Sequence, residues 1–165
     1  MQTFLPHRDF AETARVLDQR RLGKQRVETL QILRALLRPE YGWKHHPAVL
    51  MWAGREEALA CYGLRMCDEW VQRGFADTVA ASILEEVAVL LEGRTPRNQA
   101  ELASAKALPS WLGDEDFHRS HRSALLRKER EHYVGAFGDM PDDLEYVWPV
   151  RKVPVARPRR AAGNA

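Results

Sequence analysis

The stretch Asp18-Gln-Arg-Arg-Leu-Gly-Lys-Gln-Arg-Val-Glu28, continued by TLQILRALL to Leu37, decides the fold. Leu22, Leu30, Leu33 and Leu37 recur at helical spacing, Asp18 is a residue type that accepts from the first free N–H groups of a helix, and the pattern stops before Pro39. This spacing predicts a long amphipathic helix. Arg21, Lys24 and Glu28 lie three and four residues apart, so they share the face opposite the leucines. A carboxylate held among cations is the result.

Helical periodicity continues on both sides, and no alternating strand pattern lasts more than a few residues. Upstream, Asp9 starts a short helix reaching about Leu17. Downstream, Pro47 suits a first helical position, and Val49, Leu50 and Trp52 make an apolar turn interrupted near Gly54. Leu59, Tyr62, Met66 and Trp70 form the next stripe up to Gly74, and Asp77 opens a helix to about Leu91. Residues 92–116 mix turn residues with one short helical stretch, and Asp114 caps a helix carrying FHRSHRSALLRKE. The pattern predicts an all-α, compact single domain over residues 1–150. Residues 151–165, RKVPVARPRRAAGNA, lack core-forming residues and are expected to be a disordered basic tail.

The chain has 165 residues and 18.9 kDa, enough for one ordinary domain; 45% hydrophobic and 29% charged residues are the composition of a folded globular protein. No apolar run approaches the roughly 18 residues of a membrane span, and MQTFLPHRDF lacks the basic flank and apolar run of a signal peptide, so the expectation is a cytoplasmic protein with no membrane partner. Cys61 and Cys67 sit in a helical pattern without a CxxC and read as reduced packing residues. The formal charge of +2 misleads, because the last fifteen residues hold five of the 25 basic residues and none of the 23 acidic ones, which leaves residues 1–150 at net −3. Any nucleic-acid footprint must then be a local patch. Residues 15–28 and 118–132 qualify, each net +3 without histidine.

Each candidate site has a plain reading beside a functional one. The Arg21–Lys24–Glu28 face is either a solvated face with a Lys24–Glu28 pair, or a catalytic acid ringed by phosphate-binding cations. His45 and His46 precede a proline-started helix, where they either cap it or help hold a phosphate. Adjacent histidines without a third ligand exclude a metal site. The segment from Phe117 to Lys128 offers His118, Arg119, His121, Arg122, Arg127 and Lys128 within a few turns, either as a basic solvated helix or as a strip of phosphate and base-edge donors. Tyr133, Tyr146 and Trp148 either pack in the core or stack on bases.

Taken in order, VLDQRRLGKQRVE (16–28), GWKHHPAVLMW (42–52), EWVQRGF (69–75), FHRSHRSALLRK (117–128) and YVWP (146–149) resemble the pyrimidine-dimer DNA glycosylases of the phage endonuclease V type and their bacterial relatives. The resemblance implies a compact helical fold in which Glu28 is the catalytic carboxylate. Arg21 matches a basic or histidine position of the same helix, and His46 matches a family histidine before a proline. Two departures stand out. The phage enzyme has an arginine directly before its glutamate, where this chain has Val27, with Arg26 one place earlier as the candidate phosphate contact. The phage enzyme also uses the α-amine of a threonine exposed by loss of methionine, whereas Gln2 is too large for methionine removal, which makes the Met1 amine the nucleophile here.

An α-amine loses its proton more readily than a lysine, so it can attack the sugar C1′ and expel the base without metal or organic cofactor. The implied function is a base-excision glycosylase, with or without abasic-site lyase activity, acting as a monomer on double-stranded DNA with a damaged or modified pyrimidine. The competing readings are a non-enzymatic DNA-binding protein on the same fold, and an enzyme for a nucleotide or other small phosphorylated molecule.

Overall fold

The long helix read from Asp18 is the spine of the molecule, and the other elements are placed by what packs on it. The structure is a computed structural model that describes residues 1–150, so the expectation for 151–165 lies outside the described residues. Eight helices and no strand occur among the described residues: α1 Phe10–Val16, α2 Gln19–Leu37, α3 Pro47–Leu50, α4 Glu56–Gln72, α5 Val79–Val87, α6 Gln99–Ser104, α7 Glu115–Lys128 and α8 Arg130–Phe137. No helix among them is long and apolar enough to cross a membrane.

Caps set the starts. Asp9 accepts from the Glu12 N–H, Asp18 from the Arg21 N–H, and Asp114 from Asp116 and Phe117. Tyr133 on α8 is fully buried and its hydroxyl meets both the backbone N–H and the carboxylate of Asp18, so it pins the start of α2 and takes no part in stacking on bases. Asp77 does cap α5, accepting from the Ala80 N–H at 2.8 Å, but the regular helix ends at Val87 instead of Leu91. Beyond it the chain runs through turns that bury Leu91 and leave Val89 in solvent.

Helices α4 and α5 pack on α2, with α1 against α4. Gly63 makes that approach possible: a Cβ there would run into the Thr29 methyl of α2 and meet Ile83 Cδ1 of α5 at 2.9 Å. Cys61 and Cys67 are buried free thiols, and burial pushes them up to about 11 and about 12, so they stay protonated in the packing.

The N-terminal arm, residues 1–9, is neither helix nor strand, yet Thr3, Leu5 and Pro6 are buried. Its backbone groups must therefore find side-chain partners. The Phe4 N–H donates to Gln25 Oε1 at 2.8 Å and the Leu5 N–H to His121 Nδ1 at 3.1 Å. The Leu5 carbonyl accepts from His118 Nδ1 at 2.7 Å and the Pro6 carbonyl from Arg122 at 2.9 Å. The Phe4 carbonyl accepts from the Tyr62 hydroxyl at 2.8 Å, and Trp52 Nε1 donates to Thr3 Oγ1 at 3.0 Å.

Candidate active site

This tether carries the first two residues to α2. The Gln2 N–H points at Glu28 Oε2 over 3.4 Å, and Gln25, one helical turn before Glu28, donates its Nε2 to the same oxygen at 3.1 Å. The orientation of that amide is fixed by its other end, because Oε1 must accept the Phe4 N–H. Gln25 therefore positions the arm and the carboxylate together. Glu28 is 14% exposed at its side chain, with Lys24 Nζ 3.8 Å from Oε1.

A cleft of about 390 Å³ opens over this carboxylate. Met1, Gln2 and Phe4 form one wall, Arg20, Arg21, Lys24, Gln25 and Glu28 of α2 the floor, and His46, Lys128, Tyr146 and Trp148 close it. Of the residues singled out in the sequence, Met1, Arg21, Lys24, Glu28, His46 and Lys128 thus meet at one place. A wider groove of about 630 Å³ on the outer side of α2 shares Arg20, Lys24 and Glu28 and is walled by Val27, Gln31 and Trp70. The smaller cleft is the better candidate, because the N-terminus and the carboxylate meet only there.

The ends of the two basic segments join at the cleft: Arg21 donates to the Lys128 carbonyl at 3.3 Å and pairs with Asp18 at 2.7 Å. Burial would raise the Asp18 pKa, but hydrogen bonds from Tyr133 and Arg21 outweigh it and hold the carboxyl below its usual value. Lys128 titrates below its usual value, first through burial and then through Arg21, Arg127 and Lys24. His46 is also lowered, by burial and then by the N-terminal amine, with Glu28 opposing. Its Nδ1 accepts from the Ala48 N–H at 3.1 Å, so neutral His46 keeps its proton on Nε2.

Several expected DNA contacts are committed elsewhere. Arg26 lies roughly 140° round α2 from Arg21. It is buried with its Nε 3.1 Å from Asp77 Oδ1 and its guanidinium 4.3 Å over Trp70, so it is a packing cation and not a phosphate contact. His118 and His121 are buried against the arm. Because His118 Nε2 accepts from the Gly113 N–H, its Nδ1 carries the proton given to Leu5. His121 is fully buried and burial pushes it down to about 3, so it is neutral. Arg122 holds Pro6 and pairs with Glu115. These four are corrections to the sequence expectation: the three side chains of α7 serve an arm that needs donors and acceptors inside the protein, and Arg26 is covered by the packing of Trp70 and Asp77. Arg119 and His45 are exposed but do not line the cleft, and Arg127 lines a neighbouring hollow with Tyr146 and Trp148.

Sequence reading missed Arg20, Gln2 and Gln25 as cleft residues. Arg20 was visible as a cation on the right turn, whereas Gln2 and Gln25 carry no charge signal. The EWVQRGF segment proves architectural: Arg73 donates to the Leu17 carbonyl at 2.8 Å and pairs with Glu69, fastening the α1–α2 corner.

Comparison with curated proteins and with solved structures gives no match. Residues 1–82 do match a family model, described as pyrimidine dimer DNA glycosylase. This stretch holds the arm, all of α2, His46 and α4 packed behind them, and over it the chain belongs to the pyrimidine dimer DNA glycosylase family.

Proposed function

We propose that the protein is a base-excision glycosylase that releases a damaged or modified pyrimidine from double-stranded DNA and then cleaves at the abasic site through an imine on the Met1 amine. The observation that carries this reading is the seating of the N-terminus beside the half-enclosed carboxylate, with the Gln2 N–H 3.4 Å from Glu28 Oε2. The Met1 nitrogen forms a bond to C1′ as the glycosidic bond breaks, and the base departs with that electron pair and takes up a proton. Opening of the sugar ring gives the protonated imine. Loss of a C2′ proton then expels the 3′ phosphate. Glu28 moves protons in these steps and stabilises the cationic sugar. Arg20, Lys24 and Lys128 face the flanking phosphates, and His46 and Trp148 border the extruded nucleotide.

Sodium borohydride reduces such an imine to a stable amine. Incubation with oligonucleotide duplexes carrying an abasic site, a cyclobutane dimer or common modified pyrimidines should give a covalent protein–DNA adduct with at least one of them. Base release without any adduct would leave a monofunctional glycosylase in which Glu28 activates water, and no release from any member of the panel would overturn the reading.

A further inference from the structure

Trp43 is 66% exposed, and its φ of 67° lies in the left-handed region that bulky side chains avoid. Glu92 and Lys106 share the positive φ, but both end helical turns, where Gly93 N–H bonds the Ala88 carbonyl and Ala107 N–H the Leu102 carbonyl. Trp43 ends no helix. It begins the turn whose His46 N–H bonds the Trp43 carbonyl at 2.9 Å, leading into Pro47 of α3. An indole left in water gives up its burial free energy, and a strained backbone adds to the cost, so stability alone does not account for the residue.

The surroundings indicate what it serves. The Trp43 ring meets His46 edge-on at 5.9 Å, and His46 meets Trp148 edge-on at 6.2 Å, so the exposed indole continues the aromatic rim of the cleft. Lys44 and His45 follow it in sequence, so cation-capable residues belong to the same turn as the apolar ring. An aromatic face with adjacent cations suits a base stacked beside a phosphate, and suits a greasy protein partner poorly. We propose that Trp43 is a stacking platform for a nucleobase displaced from the duplex at the mouth of the cleft, a role that rests on the glycosylase reading above. Stacking there replaces part of the base stacking lost when the nucleotide opposite or beside the lesion leaves the helix.

The test is equilibrium binding of the full chain to a short duplex holding a tetrahydrofuran abasic analogue, followed by fluorescence anisotropy at several salt concentrations. Trp43→Gly should bind about tenfold or more weakly and Trp43→Phe within about threefold of wild type. All three should share one slope of log affinity against log salt, since no phosphate contact is removed. Trp43→Gly should melt no lower than wild type, because glycine accepts the positive φ. Part of the tryptophan quenching seen on binding should vanish in Trp43→Phe. Wild-type affinity in Trp43→Gly, or a lowered melting temperature with unchanged binding, overturns the platform even where borohydride trapping succeeds. If no base is released from any duplex of the panel but Trp43→Gly still loses affinity, the platform stands as a DNA-binding feature and the glycosylase reading falls. Absence of binding by the wild type overturns both.

Discussion

The first turns of α2 and the first turns of α7 come from segments of equal net charge, yet they spend it in opposite directions. On α2, Arg20 and Lys24 reach out over a cleft, with Glu28 among them. On α7, His118, His121 and Arg122 turn inward and bond the backbone of Leu5 and Pro6. The difference comes from a third element, the arm, which has no regular structure and must borrow its hydrogen bonds. Basic composition therefore marks two unlike things here, a surface prepared for phosphates and an interior that holds the N-terminus over the carboxylate.

Substitutions should separate the two. The largest effect is expected at Glu28: Glu28→Gln keeps the shape and the bond from Gln25 while removing proton transfer and charge, so base release in single turnover should fall by about 10²–10⁴-fold with an unchanged melting temperature. A melting temperature that drops with activity intact would make Glu28 part of the packing instead.

Next comes the interior. His121→Ala leaves a cavity and an unpaired Leu5 N–H and should cost about 2–4 kcal/mol in urea unfolding. The same histidine sets an acid limit. Its folded pKa of about 3 lies below the ordinary 6.5, so the unfolded chain binds the extra proton. Its contribution is complete above about pH 6.5 and is lost progressively as pH falls toward 3. Stability measured between these limits should decline with a slope near one proton from this site, and His121→Ala should flatten it.

Arg122→Ala is a smaller version of the same break, about 1–3 kcal/mol of stability with an unchanged salt slope for DNA binding, because its guanidinium serves Pro6. Lys24→Ala, at the other pole, should leave stability within about 0.5 kcal/mol and reduce the slope of log affinity against log salt by about 0.9. If the two variants exchanged these signatures, the division between outward and inward cations would be wrong.

The fold was legible because α2 announces itself by a capping aspartate and an apolar stripe, α4 by its stripe and the Gly74 stop, and α7 by Asp114 at its start, and the all-α reading needed nothing more. The cleft was half legible. Lys24 and Glu28 are neighbours on one helix and follow from spacing, whereas Arg26 entered as a phosphate contact through the family resemblance, and the sequence does not show that α4 and the start of α5 cover its face. The histidines of α7 misled for a related reason: a run of donors on a helix signals a polar partner, and the sequence does not say that the partner is the chain's own arm, more than a hundred residues away. Gln25 left no trace at all, since a neutral amide gains its meaning only when Phe4, Tyr62 and Glu28 converge on it.

The arm, the α7 tether and Glu28 all lead to a single atom, the Met1 nitrogen. Acetylating that amine, or extending the chain before it, leaves Lys24, Lys128 and the cations of α2 in place. If Met1 is the nucleophile, either change should abolish the borohydride-trapped adduct on an abasic duplex while DNA affinity stays within a few-fold. An adduct that persists and maps by mass spectrometry to Lys24 or Lys128 would contradict it.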